Sequence, residues 1–92
     1  MKYNLLVENF LEILASEKGL SKNTLSSYKI DLDQFVDFIQ KKNVKTIESR
    51  EKEIKEFINT FRQRGYEKST ISRKISSLTH FFNFLLEENE IK

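Results

Sequence analysis

Apolar side chains recur every three or four positions in four successive stretches of this 92-residue chain. The stretches cover about residues 5–18, 22–41, 50–64 and 68–88, and each can place its apolar residues on one face of a helix. No stretch alternates with the period of two that marks a half-buried strand. The chain also has no proline and only two glycines, which leaves little to form the turns of a sheet. The pattern therefore predicts an all-α fold, a four-helix bundle in a single domain covering residues 1–92.

Both glycines fall at corresponding points of an internal repeat. Gly19 follows the first predicted helix and Gly65 the third, where glycine commonly ends a helix. A shift of 46 residues superimposes the sequence from Gly19 onto that from Gly65 with seven identities in 22 positions, more than two unrelated helix starts would share. The identical pairs are Gly19 and Gly65, Lys22 and Lys68, Thr24 and Thr70, Ser26 and Ser72, Leu32 and Leu78, Phe35 and Phe81, and Phe38 and Phe84. The repeat predicts two helix–Gly–helix hairpins.

Basic residues are concentrated near the starts of the second and fourth helices. Residues 18–29 contain three bases and no acid, and residues 62–74 contain five bases and one acid, although the formal net charge of the whole chain is only +2. Local basic segments of this kind are suited to contacts with phosphate groups. Lysines that merely keep the ends of loops solvated would give the same pattern. Charge alone leaves both interpretations open.

Short polar side chains accompany these bases at the two helix starts. The start of a helix exposes unpaired N–H groups and the positive end of the helix dipole, which attract phosphate. Short donors allow a DNA backbone to approach closely, and lysine adds attraction at longer range. We also expect Ser21 to cap the second helix. The residues are Ser21, Lys22, Asn23 and Thr24 in the first copy, with Ser27 one turn on, and Lys68, Ser69 and Thr70 in the second.

The fourth helix has a polar face opposite its phenylalanines. The members of this face recur at intervals of three or four residues and are Ser69, Arg73, Ser76 or Ser77, and His80. A helix with such a face can enter a major groove, where arginine and serine read base edges. The alternative is that Arg73 and Lys74 are only solvated surface residues.

No set of side chains in the sequence predicts catalysis. Four glutamates alternate with bases at helical spacing, which is typical of a solvated, salt-bridged surface: Glu48, Glu51, Glu53 and Glu56. The three tyrosines are interpreted as structural, Tyr28 on the apolar stripe of the second helix, Tyr66 in a turn and Tyr3 in an N-terminal tail. With one histidine, His80, and no cysteine, we expect no metal and no cofactor.

The absence of cysteine fits a reducing cytoplasm. The apolar opening of the chain is interrupted by Glu8 and Glu12, so it makes a poor signal peptide and is too short to span a membrane. We expect a cytoplasmic protein with neither a membrane partner nor a small-molecule substrate.

The chain contains GLSKNTLSSYKIDLDQFVDFI from Gly19 and KSTISRKISSLTHFFNFLLEEN from Lys68. These two segments resemble the N-terminal core-binding domain, a SAM-like domain, of Xer-type and phage-integrase tyrosine recombinases. The opening VENFLEILASEKGLS fits the same pattern, so the resemblance covers essentially the whole chain. It implies a four-helix SAM-like bundle on one side of a DNA duplex, with the nucleophilic tyrosine in a separate C-terminal catalytic domain.

The resemblance also implies partners and contact residues. The partners are the double-stranded DNA of a recombination site, the catalytic domain of the same protein, and other recombinase protomers in a synaptic complex. The DNA-facing residues would lie on the second and fourth helices: Lys22, Asn23, Thr24, Ser27, Lys68, Ser69, Thr70, Arg73, Lys74 and Ser77. Two positions depart from the family pattern, because Glu67 replaces a small polar residue and Thr79 stands where arginine is common. The catalytic domain is absent from residues 1–92, and we expect the chain to be one domain of a longer protein.

Two other functions are compatible with the sequence. A protein-interaction module would expose an apolar patch, for which Phe38, Phe81 and Phe84 are the candidates, although we interpret these rings as core residues at the flank of the apolar stripes. A stand-alone helix-turn-helix regulator would need a tight turn between helices, whereas the segment around Lys41 to Ile47 is longer than such a turn.

Overall fold

The computed structural model describes residues 2–42 and 50–90, which form four helices. Helix α1 covers Lys2–Glu17, α2 covers Lys22–Lys41, α3 covers Arg50–Gln63 and α4 covers Lys68–Glu87. These residues form no strand, so the all-α prediction is confirmed. None of the four helices is long and apolar enough to cross a bilayer.

The start of α1 differs from the prediction. The helix begins at Lys2 rather than at Leu5, so Tyr3 lies within it and is buried in the core. The interpretation of Tyr3 as part of a tail is therefore wrong. Tyr3 precedes Val7 by four residues and Phe10 by seven, which places the three side chains on one face of the helix.

Both glycines end their helices in the predicted way. Gly19 and Gly65 have φ angles of 61° and 81°, in the left-handed region that glycine enters without steric cost. At the end of α3, the Gly65 N–H donates to the Arg62 carbonyl at 3.0 Å and the Tyr66 N–H donates to the Phe61 carbonyl at 3.2 Å. This pair of bonds is the Schellman arrangement, which satisfies carbonyls that the helix itself leaves free.

Phenylalanine rings contributed by all four helices pack against one another in the core. Phe35 of α2 contacts Phe57 of α3 and Phe82 of α4 with ring centroids 5.4 and 5.6 Å apart, and Phe10 of α1 lies 5.6 Å from Phe81 of α4. Each pair is tilted or edge-on, as aromatic rings prefer. Burial of one such side chain contributes about 1.5–3 kcal/mol, which lets a small domain build an efficient core.

The same packing covers the three rings that were the candidates for an exposed apolar patch. Phe81 and Phe84 are buried against Phe10, and Phe38 is half-buried with its ring 5.4 Å from that of Phe57. The alternative that these rings form an exposed docking surface is therefore wrong. The segment between Lys41 and Ile47, on which the helix-turn-helix comparison depends, lies largely outside the described residues.

Helices α2 and α4 run in opposite directions across their contact. The hydrogen bonds between them include three pairs that follow this antiparallel order: Tyr28 with His80, Asp31 with Ser77, and Gln34 with Lys74. In the 46-residue shift Asp31 corresponds to Ser77, Tyr28 to Lys74 and Gln34 to His80. The pair of Tyr28 and His80 is therefore the repeat equivalent of the pair of Gln34 and Lys74. The two copies of the repeat therefore pack about an approximate two-fold axis that passes near Asp31 and Ser77.

Candidate nucleic-acid interface

The start of α2 is closed by its own cap. The Ser21 side-chain oxygen accepts the N–H of Thr24 at 3.2 Å, and the Ser21 hydroxyl donates to the Thr24 hydroxyl oxygen at 3.0 Å. The predicted cap is confirmed. Lys22 and Asn23 are exposed beside it, whereas Thr24 is half-buried. Asn23 and Ser27 precede Asp31 by eight and four residues, so they lie on the side of α2 that faces α4.

The start of α4 has no such cap. Its N-cap residue is Glu67, whose side chain makes no hydrogen bond to the first turn, and that turn contains no acidic residue. Lys68 and Ser69 are exposed and Thr70 is half-buried. The N–H groups of this turn therefore lack the side-chain acceptor that α2 has, and an anion could occupy its place.

Lys68 does not join the other predicted residues directly. It lines a surface depression toward α3, together with Arg62, Tyr66 and Ser72. Ser69, by contrast, precedes Arg73 by four residues and lies on the polar face of α4. The first residue of α2, Lys22, is nine residues before Asp31 on the axis of the repeat, and the first residue of α4, Lys68, is nine residues before Ser77. Nine residues correspond to roughly 13 Å along a helix. The two starts thus lie on opposite sides of the α2–α4 contact.

A buried carboxylate occupies the centre of that contact. Asp31 of α2 is fully buried. Each of its two carboxylate oxygens accepts two hydrogen bonds. Arg73 binds it with two donors, Nε at 3.0 Å from Oδ2 and Nη2 at 2.8 Å from Oδ1. Lys74 Nζ lies 2.9 Å from Oδ1 and Ser77 Oγ lies 3.1 Å from Oδ2. Because an unpaired buried carboxylate is strongly unfavourable, these contacts are what allows Asp31 to remain there.

Lys74 is the most enclosed member of this group. Its side chain is only 2% exposed. Besides Asp31, its Nζ contacts Gln34 Oε1 at 2.5 Å and lies 4.5 Å from the centre of the Phe61 ring. We call Asp31, Gln34, Arg73, Lys74 and Ser77 the Asp31 cluster. Through Phe61 the cluster also contacts α3, so it ties three helices together.

Two of the predicted DNA-facing side chains lie inside this cluster. Lys74 and Ser77 were expected on the outer face of α4, but both side chains are buried and bonded to Asp31. Helical spacing explains the difference, since Ser77 is four residues before Phe81 and three after Lys74, on the flank of α4 that packs against α2. In this arrangement neither side chain can reach a ligand in solvent.

Arg73 is the member of the cluster that reaches the surface. Its side chain is 38% exposed, and its contact with Asp31 uses two of its five N–H donors. Three N–H donors of the guanidinium are not used by Asp31. The hydrogen bonds that Arg73 donates to Asp31 raise the pKa of Arg73 above its already high ordinary value, so the group is positively charged.

His80 and Tyr28 border the cluster on the side of the α2 start. His80 is exposed and Tyr28 is buried, with the Tyr28 hydroxyl oxygen 3.4 Å from His80 Nδ1. Tyr66 lies in the turn after α3, where its ring packs edge-on against Phe61 with the centroids 5.0 Å apart. The structural interpretation of Tyr28 and Tyr66 agrees with these contacts.

The predicted row of solvated glutamates is partly wrong. Glu53 is buried, with 6% of its surface exposed, because it precedes Phe57 and Phe61 by four and eight residues on the inner face of α3. Glu51 is exposed, and Glu56 forms an ion pair with Lys42 after the end of α2. Glu48 lies outside the described residues. Among the residues that the structure describes, no group of three or more histidine or acidic side chains is placed to hold a metal ion.

Asp31 and Gln34 are the functional candidates that sequence reasoning missed. The signal for Asp31 was present, because it falls on the apolar stripe of α2 between Tyr28 and Phe35. A charged residue at such a position needs a buried partner. The repeat also aligns it with Ser77, a second small polar residue on an otherwise apolar flank.

Fold and surface together define a class of protein, a small helical domain of two packed hairpins with basic helix starts on either side of a partly exposed arginine. The chain belongs to the family described as phage integrase, N-terminal SAM-like domain, whose family model matches residues 7–89.

Similar proteins carry the name tyrosine recombinase. The chain is 34% identical over 88 residues to tyrosine recombinase XerD of Brucella abortus, covering 96% of the chain and 28% of that protein. It is 39% identical over 80 residues to tyrosine recombinase XerC of Roseiflexus, covering 86% of the chain and 26% of that protein. Tyrosine recombinase XerC of Staphylococcus carnosus is 33% identical over 87 residues, covering 95% of the chain and 29% of that protein.

The chain thus spans less than a third of the length of these relatives. No solved structure gives a significant match. The expected family is confirmed, and the region matched is the N-terminal domain of recombinases that continue well beyond it.

Proposed function

We propose that this domain binds double-stranded DNA at a recombination half-site and positions the separate catalytic domain of a tyrosine recombinase for strand exchange. The observation that carries the proposal is the partly exposed guanidinium of Arg73, which Asp31 holds at the α2–α4 contact between two basic helix starts. Membership in the integrase family, and relatives named as bacterial recombinases, support the same function.

The surface offers two kinds of contact. Lys22, Lys68 and the uncapped first turn of α4 can bind phosphates, which fixes the position of a protein on a duplex without reading sequence. Asn23 and Ser27 can present hydrogen-bonding groups to base edges in a major groove, and Arg73 can contact a phosphate or a base edge. The contact set that we propose therefore keeps the exposed and half-buried members of the predicted set and omits Lys74 and Ser77.

The partners proposed for the domain follow from this role. They are the DNA of the recombination site, the catalytic domain of the same protein, and other recombinase protomers, with the cytoplasm as the place of action. A domain that binds one half-site leaves the other half of the recombination site to a further copy of the domain.

Fluorescence anisotropy of the 92-residue domain on an unrelated duplex, stepped through salt from low to physiological concentration, tests the proposal. We expect the affinity to fall steeply, with a log–log slope of about −3 to −6, as phosphate contacts require. Absence of binding at low salt would refute DNA binding by the domain itself.

A pair of matched variants then locates the surface. Lys22→Glu with Arg73→Gln should lower the affinity at least tenfold and make the slope less steep by about two to three. Glutamine is used at position 73 because a carboxylate beside Asp31 would disrupt the fold. Lys29→Glu with Lys52→Gln changes the charge equally, on the α1 side of α2 and on α3, and should have little effect on the slope. Equal losses in both variants would show that only total charge matters.

A further inference from the structure

The Asp31 cluster contains one more cation than its carboxylate requires. Asp31 contributes one negative charge, and Arg73 and Lys74 contribute two positive charges. Arg73 alone would already satisfy the carboxylate with a two-donor ion pair. The second cation is buried and cannot itself contact a ligand, so its position calls for a different role.

We infer that Lys74 strengthens DNA binding without touching the DNA, by neutralising Asp31 so that Arg73 keeps its charge for a phosphate. This inference rests on the function proposed above. In a one-to-one pair with Asp31, Arg73 would present a guanidinium whose charge is cancelled by a carboxylate in direct contact. With Lys74 in place the cluster keeps a net charge of +1, and Arg73 is its exposed member.

The division of hydrogen bonds within the cluster supports this role. Oδ1 of Asp31 accepts from Arg73 and Lys74, and Oδ2 accepts from Arg73 and Ser77. If Arg73 turns toward a phosphate, each oxygen of Asp31 still keeps one donor inside the protein. The carboxylate is not left unsatisfied, so the movement of Arg73 avoids the large cost of an unpaired buried charge.

Lys74 is fixed in this supporting position. An ammonium group has three N–H donors, and the surroundings of Lys74 Nζ supply Asp31, Gln34 and the face of the Phe61 ring. These three partners belong to α2 and α3, so they hold the ammonium group inward from the surface of α4. Lys74 thus acts as a positioning residue for the charge of Arg73.

Two variants separate this role from a structural one. Lys74→Met removes the buried cation and leaves Asp31 paired with Arg73, which lowers the cluster charge from +1 to 0. Asp31→Asn combined with Lys74→Met removes both charges and returns the cluster to +1, with Arg73 intact in each protein. Circular dichroism and thermal melting establish that both variants are folded at the temperature of the binding measurement.

We expect Lys74→Met to reduce the magnitude of the log–log salt slope by about one, and the double variant to restore the wild-type slope. A structural role predicts the opposite order, since the double variant loses more of the hydrogen-bond network. Lys29→Met, which removes an exposed lysine paired with Asp33, serves as the control and should leave the slope unchanged.

Each outcome has one meaning. A wild-type slope in Lys74→Met, or a slope that the double variant fails to restore, would overturn the inference while leaving DNA binding by the domain intact. Absence of binding by the wild-type domain at low salt would instead remove the proposed function itself.

Discussion

The two hairpins of this domain share a sequence pattern but differ where they meet the solvent and where they meet each other. Phe35 and Phe81 are repeat equivalents, and both are completely buried. Ser21 caps the helix of the first hairpin, whereas Glu67 at the equivalent position leaves the helix of the second uncapped. The two copies are thus alike at core positions and at the lysines that follow the caps, and they differ in the cap residue itself.

The residues on the repeat axis show why some divergence is required. Asp31 contacts its own equivalent, Ser77, so an exact repeat would place two aspartates or two serines against each other. Two buried carboxylates in contact would repel, and two serines would leave Lys74 without a counter-charge. One acceptor and one donor satisfy the position, which identifies the axis as a place where symmetry must be broken.

The largest expected effect on stability comes from replacing the two members of this asymmetric pair, Asp31 and Ser77, one at a time. Asp31→Ala should destabilise the domain by about 3–5 kcal/mol, because it leaves the buried Lys74 without a counter-charge. Ser77→Ala should cost about 1 kcal/mol, since Asp31 keeps Arg73 and Lys74. Urea unfolding followed by circular dichroism measures both. Equal losses would mean that the carboxylate is not the centre of the cluster.

An intermediate effect is expected at the two helix starts. Ser21→Ala should destabilise the domain by about 1 kcal/mol, because the N–H of Thr24 loses its acceptor. Glu67→Ser should have the reverse effect, a gain of up to about 1 kcal/mol, because serine can supply the cap that α4 lacks. Thermal melting compares the two. Removing the carboxylate at 67 should also tighten binding to a duplex, which anisotropy would detect, and a loss of stability on Glu67→Ser would contradict the comparison of the caps.

The smallest effect concerns an ion pair that the repeat does not share. The hydrogen bond from Lys42 holds the pKa of Glu56 below its ordinary value of 4.5, and the same bond raises the pKa of Lys42. A lowered carboxyl pKa in the folded state stabilises the protein above pH 4.5, and the contribution disappears as the pH falls through the lowered value. Because both side chains are exposed, the effect should be small.

Melting curves of the wild type and of Glu56→Gln between pH 7 and pH 3 test this pair. The wild type should melt slightly higher at pH 7, and the two curves should converge at the acidic end. A difference that grows as the pH falls would contradict the assignment.

Local sequence rules sufficed for the features that depend on neighbouring residues. The bounds of α2, the glycines that end α1 and α3, and the Ser21 cap all follow from spacing within one turn of helix. The same rules did not predict which side chains are buried by contact with another helix. Lys74 was placed on the surface because nothing within its own helix reveals that Asp31, 43 residues earlier, lies against it. Glu53 was misplaced for a similar reason, since its alternation with bases concealed its position on the inner face of α3.

The approximate two-fold axis has a consequence for polarity. A perfectly symmetric surface would fit a duplex equally well after a half-turn, so it could not distinguish the two directions along the DNA. The 46-residue shift pairs Arg73 with Ser27, which places the exposed guanidinium on one side of the axis only, and the open start of α4 lies on one side as well. For a domain that binds DNA through this surface, the differences between the hairpins make the surface asymmetric. This asymmetry determines the orientation of the domain along a half-site.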